Sequence, residues 1–167
     1  MPKPDEFAYQ KAMVIWLRGN PGRDGVPRVA PALAPGVKFW HTPNGGERRD
    51  AFEGKRLKEL GVWAGVHDLL FLRPTRFTEG TFGLLFGQEW KRPDAKKIPL
   101  QKRSPLHLEL RAQAIANGWA PARIVDALSD SQLEAHRDLM VAGMAATVVV
   151  DNLDEAKTWC RAHFLAI

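Results

Sequence analysis

A chain of 167 residues, 45% hydrophobic and 26% charged, is long enough for one domain with a real core and has the balance of an ordinary globular protein. One cysteine, Cys160, excludes a disulfide framework and a CxxC zinc site. The net charge of +5 suits a polyanionic partner without establishing one, and it is local: Lys91, Arg92, Lys96, Lys97, Lys102 and Arg103 crowd one stretch offset only by Asp94, whereas residues 126–155 lean acidic. The start, "MPKPDEF", lacks the apolar run of a signal peptide, and "MVAGMAATVVV" is too short to span a bilayer. The expectation is an intracellular, cytoplasmic protein with no internal repeat.

In chain order, Asp5 can cap a helix running to about Arg18, with Ala8, Ala12, Ile15 and Trp16 on the inner face and Gly19 at its stop. Residues 19–36 hold four Gly and four Pro and read as a long irregular loop, which compact domains keep for a reason. "VKFWH" (37–41) reads as a strand and "TPNGGERRD" (42–50) as a turn. The helix after it (48–60) puts Ala51, Phe52, Leu57 and Leu60 inward and Arg48, Arg49, Lys55 and Lys58 outward. "HDLLFL" (67–72) and "GLLFGQEW" (83–90) read as the strands of a hairpin joined by "RPTRFTEGTF". Residues 92–104 read as a basic, Pro-punctuated flap, "PLHLELRAQAIAN" (105–117) as a helix, and "SDSQLEAHRDLMVAG" (129–143) as a helix with clear ends. "ATVVV" (146–150) is a buried strand, and Asp151 or Asn152 begins a last helix with Ala156, Trp159, Cys160 and Phe164 inward. The order predicts a single α/β domain with a mixed sheet flanked by helices.

The strand ending "LLFGQEWK" carries the chemistry. Residues i and i+2 of a strand share a face, so Glu89 and Lys91 converge at the edge of an apolar layer; taken alone, that is a strand-end ion pair worth little if exposed. Asp68 and Glu89 share a midpoint between Thr78 and Glu79, so an unbulged hairpin places Asp68 beside Glu89. Two neighbouring carboxylates repel, and Mg²⁺, which takes oxygen ligands and keeps several waters, relieves the repulsion. With a lysine alongside, this is a workable phosphodiester-cleavage set. The D…ExK spacing alone is a weak signal.

"TPNGGERRDAF", "LKELGVWAGVHDLLFL", "EWK" and "LSDSQLEAHRDLMVAGMAATVVVDNLDEA", in that order, resemble the virus-type replication-repair nuclease (VRR-NUC) domain of the PD-(D/E)xK nuclease superfamily. The resemblance covers about residues 6–165 except 92–128. It implies a restriction-endonuclease-like fold and Mg²⁺- or Mn²⁺-dependent cleavage of DNA, often branched, by a homodimer. Residue by residue, the catalytic Asp matches Asp68 and the E-x-K matches Glu89 and Lys91, with the Trp90 carbonyl as an extra metal ligand. The first-helix Glu matches Glu6, as a catalytic residue or metal contact, and the Gln that follows the catalytic Lys matches Gln132. Two departures stand out: His67 occupies a position that is usually Pro, and residues 92–128, a basic flap and a helix, are inserted between Lys91 and Gln132.

Blander roles exist for several of these residues. Glu6 opposes the positive end of a helix dipole, Ser129 and Gln132 form a capping box, and Asn44-Gly45-Gly46 is a turn signal. A second reading puts the amides around Asn44 near a phosphate, with Arg48 and Arg49 beside it, and has Lys96, Lys97, Lys102 and Arg103 gripping the DNA backbone. His41, Asn44 and His67 have the wrong order for an H-N-H nuclease, and His67 is a weak metal-ligand candidate. Trp63 and Trp119, beside turns, are candidates for base stacking. The expected activity is a structure-selective, metal-dependent endonuclease; the alternative is a non-cleaving DNA-binding or accessory protein with the same fold, and RNA stays open as a substrate.

Overall fold

A computed structural model of the chain describes residues 6–21, 27–42, 65–77 and 80–167. Helix α1 is Glu6–Arg18; β1 (Asn20–Pro21) and β2 (Pro27–Val29) form a small ladder; β3 is Lys38–His41, β4 Leu69–Phe77 and β5 Gly80–Trp90. After Trp90 come α2 (Pro105–Ala116), α3 (Asp130–Val141), β6 (Ala146–Val150) and α4 (Leu153–Ala162). The principal sheet has the order β3-β4-β5-β6, with β5 and β6 parallel and the other pairs antiparallel. The described residues thus form an α/β fold with four α-helices and a mixed four-stranded sheet. The predicted turn at 43–50 and helix at 48–60 lie outside the described residues.

The hairpin register is unbroken from Leu69↔Gln88 to Phe77↔Gly80, as the shared midpoint predicts. Its strands run further than the sequence reading had them, through most of the stretch read as a connection. Thr75, Thr81 and Phe82 favour extended backbone. Pro74 is tolerated because β3 pairs β4 only as far as Leu72, so that no described strand pairs with β4 at Pro74 on that side.

Alternation along the strands sorts their side chains onto two faces. One face packs on α1 and α4, where Met13, Leu17, Leu69, Phe71, Phe86, Trp90, Val150, Ala156 and Cys160 form the larger core. Burying Met13, Leu17 and Phe71, all 0% exposed, contributes about 1.5–3 kcal/mol each. The other face takes α2 and α3, with Leu110, Val125, Leu128, Leu133 and Val149. Asp68, Gly87, Glu89 and Lys91 belong to this second face.

Three sequence expectations about the core shift. On α1 the buried pair is Met13 and Leu17, with Trp16 partly buried against the same core as expected, while Ala8 is exposed; burying Met13 and Leu17 removes more area from water than burying alanines would. Phe164 is 73% exposed with φ +56°, because α4 ends at Ala162 and the helical period no longer carries it inward. Within the 19–36 stretch, residues 32–34 act as a strap: the Ala32 and Leu33 N–H groups donate to the Trp16 and Leu17 carbonyls, and the Ala34 N–H donates to the Leu165 carbonyl. It caps α1 and ties it to the C-terminal end of the chain.

Candidate active site

Asp68, one step beyond the Leu69↔Gln88 pair, stands across from Glu89. Peptide geometry ties the two together. The Trp90 N–H donates to Asp68 Oδ2 at 2.8 Å, while the Lys91 N–H donates to the Val150 carbonyl on the opposite side, at 2.9 Å. In a planar trans peptide the C=O of residue 90 points away from the N–H of residue 91. The Trp90 carbonyl therefore opens toward Asp68.

Glu89 is 1% exposed. Its Oε1 accepts from Lys91 Nζ at 2.9 Å and from Gln132 Nε2. Its Oε2 is buried without a hydrogen-bond partner among the described residues. Gln132 serves two ends: its Oε1 accepts from the Ser129 N–H at 2.9 Å, closing the capping box of α3, while its amide reaches Glu89. The approach is close enough to require glycine at 65 (φ +85°), where a Cβ would lie 2.4 Å from the Ser131 carbonyl oxygen.

The electrostatics are those of a crowded acidic pair. Burial, and then the charge of Asp68, push the Glu89 carboxyl up, against the pull of Lys91. Burial alone would lower the Lys91 ammonium, but the Glu89 charge and hydrogen bond, with Glu6 and Asp68 behind them, raise it overall. Glu6, in the first turn of α1, thus acts on both groups through its field. Among the described residues no set of three or more His, Cys, Asp and Glu side chains could hold a metal ion; the pairing that the register and the charge of Asp68 on Glu89 establish is of two carboxylates. A Mg²⁺ ion fits such a set, since it keeps waters and takes one or two carboxylates together with substrate phosphates. The orphaned Glu89 Oε2 is the atom that a cation would satisfy.

Beneath the pair lies a polar layer that sequence reasoning missed. His67, His136 and Thr147 are 0%, 1% and 4% exposed. Thr147 Oγ1 hydrogen-bonds His67 Nε2, and His136 Nδ1 at 3.2 Å. His67 packs against Gly87, where a Cβ would lie 2.6 Å from the ring. The buried His67 ring is not placed as an exposed metal ligand. Burial lowers its pKa to about 3, and burial with the charges of His67 and Lys91 lowers that of His136 well below its ordinary value. The unfolded chain takes up protons below about pH 6.5 while the folded imidazoles stay neutral, so stability falls as pH falls, by about 1.4 kcal/mol per pH unit for each histidine. Urea unfolding at pH 7, 6 and 5 should show the loss, about 2 kcal/mol per histidine by pH 5. His67→Gln, which keeps a donor for Thr147, should reduce the loss between pH 7 and 5 by about 2 kcal/mol relative to the wild type; no difference between the two proteins would rule this origin out.

The basic segment divides. Lys96, Lys97 and Lys102 are exposed. Arg103 is not: its side chain is 0% exposed and pairs with Asp130 at 2.7 Å, while Nη2 donates to the Asp126 and Leu128 carbonyls at 3.2 and 2.7 Å. The expected phosphate contact at Arg103 is corrected: its planar fork is used to pin the entry to α3. Trp119 is partly buried against the α2–α3 core and its carbonyl accepts from the Val149 N–H, so the residue serves the fold. Asn44, Arg48, Arg49 and Trp63 lie outside the described residues. No described helix is long and apolar enough to cross a membrane.

Comparison of the chain with family models, with curated proteins and with solved structures finds no match.

Proposed function

We propose that this chain is a metal-dependent DNA endonuclease of the PD-(D/E)xK type, acting at the Asp68–Glu89–Lys91 site. The observation that carries the reading is the buried carboxylate pair, with one orphaned oxygen on Glu89 and an ammonium held 2.9 Å from the other. An ion pair built only for stability would leave neither a second carboxylate at its side nor a buried oxygen without a partner.

Asp68, Glu89 and the Trp90 carbonyl are the groups that would hold Mg²⁺ or Mn²⁺, with Glu6 contributing through its charge. When bound, such a cation supplies Lewis-acid polarisation of a phosphoryl group. Asp68 is oriented for the task by the Trp90 N–H, and Glu89 by Lys91 and Gln132. Lys91 is placed to offset negative charge as it develops on the phosphate oxygens. Gln132, fixed by its own helix cap, holds Glu89 in one rotamer. A preference for branched DNA and a homodimeric assembly are parts of the proposal that rest on the family resemblance alone. A panel of labelled junction, flap, splayed, linear and single-stranded DNAs, with an RNA duplex alongside, tests it in Mg²⁺ and in Mn²⁺. Cleavage of a DNA is expected. Cleavage of the RNA alone would reassign the substrate, and none at all would overturn the reading.

The flap follows Lys91 directly, so its exposed lysines emerge beside the site. Each phosphate contact contributes about 0.9 to the slope of log affinity against log salt on duplex DNA. Changing Lys96, Lys97 and Lys102 together to Ala should flatten that slope by about two to three, read by salt-titrated binding in Ca²⁺. Arg103→Ala should leave the slope unchanged and lower the melting temperature instead. A reversed pattern would return Arg103 to the DNA interface.

A further inference from the structure

The buried His67–Thr147–His136 bridge has no part in the chemistry proposed above, yet each end abuts a residue that does. His67 immediately precedes Asp68. His136 lies one turn after Gln132 on the same side of α3. The two rings are in contact, with centroids 4.1 Å apart, and Thr147 on β6 joins them. A hydroxyl carries one proton, so Thr147 can donate to one imidazole while accepting from the other; both bonds are made only when the two rings hold complementary tautomers. The main chain at this point is fixed from the far side as well: Thr42 Oγ1 donates to the His67 carbonyl and the Thr42 N–H to the Asp68 carbonyl at 3.0 Å. Asp68 is thereby gripped on one side by β3 and on the other, through His67, by β6 and α3.

We propose that this bridge is a positioning device, which sets the separation of Asp68 from the Gln132–Glu89 contact and with it the size of the cation site. The inference rests on the nuclease reading for its purpose, but the geometry it asserts exists without metal or DNA. Thr147→Val removes the hydroxyl and keeps the shape; Thr147→Ser keeps the hydroxyl.

The first readout uses metal-free protein. The Gln132 side-chain amide, bonded to Glu89, and the Trp90 main-chain amide, bonded to Asp68, give ¹H–¹⁵N signals that report the two carboxylates. Both should shift in Thr147→Val and return toward their wild-type positions in Thr147→Ser. The second readout is Mg²⁺ binding by calorimetry, where Thr147→Val should weaken affinity roughly 10- to 100-fold, as losses behind a metal ligand do, with Thr147→Ser close to wild type.

Should Thr147→Val fail to fold, His136→Phe keeps the ring packing, loses the hydrogen bond and is read in the same way. Unshifted amide signals in the hydroxyl-free variant, or a Thr147→Ser protein as altered as Thr147→Val, would overturn the proposal. A wild-type protein that neither binds Mg²⁺ nor cleaves would overturn the nuclease reading, while the amide signals would still decide the bridge.

Discussion

Replacement of Lys91 by alanine is expected to slow cleavage of bound DNA by about 10²- to 10³-fold, the loss typical when one donor aimed at a developing oxyanion is removed. The structure adds a complication. The Lys91 side chain is only 13% exposed and its partner Glu89 1%, so the change strands a buried carboxyl. Breaking such a pair typically costs about 3–5 kcal/mol. Here the cost should be smaller, because burial already pushes Glu89 toward its neutral form and Gln132 remains bonded to it. Lys91→Gln separates the two effects: it retains a donor for Glu89 but no charge, so it should melt near wild type and still cleave as poorly as the alanine variant. A Lys91→Gln protein that cuts at the wild-type rate would remove Lys91 from the chemistry.

The second large effect concerns the carboxylates. Asp68→Asn and Glu89→Gln should each eliminate cleavage, since neutral amides are poor ligands for a hard cation. Their metal-free stabilities should differ in an informative way. Glu89→Gln relieves the repulsion by Asp68 but takes the counter-charge from the largely buried Lys91 ammonium, so it should melt at or below the wild-type temperature; Asp68→Asn keeps an acceptor for the Trp90 N–H and should melt near it. A ligand at 100 times its dissociation constant stabilises a fold by about 2.7 kcal/mol. Saturating Mg²⁺ should therefore raise the wild-type melting temperature and leave both variants where they were. Equal stabilisation of all three proteins would place the cation elsewhere.

The site could be read from the chain to the extent that its geometry is local. Asp68 faces Glu89 because the β4–β5 pairing keeps one register, without a bulge, from Leu69↔Gln88 to Phe77↔Gly80, and the strand patterns of 67–72 and 83–90 suffice to set it. Gln132 could be found as a helix cap because Ser129-x-x-Gln132 satisfies orphan amides within one turn; its second role, on Glu89, spans 43 residues and only the resemblance suggested it. Arg103 shows where composition misleads. In sequence it is one more cation in a basic run, and what distinguishes it from Lys102 is a set of carbonyls at 126 and 128 that the fold brings to it. The His67–Thr147–His136 bridge was illegible for the same reason: its members are 80 and 11 residues apart, and each alone is an ordinary residue type for a core or a helix. On α1 the reading placed Trp16 on the core side, where it packs, but missed Met13 and Leu17, because alanines fit either face of a helix and gave the phase little weight.

The central claim is that a divalent cation held by Asp68 and Glu89 is required for phosphodiester cleavage by this chain. It is tested most directly by incubating supercoiled plasmid with wild-type protein and with Glu89→Gln, each across a Mg²⁺ titration and in EDTA. The account predicts nicked and linear DNA from the wild type with a saturable dependence on Mg²⁺, none in EDTA, and none from Glu89→Gln at any Mg²⁺ concentration. Intact plasmid with the wild type throughout, or nicking that persists in EDTA or in Glu89→Gln, would contradict it.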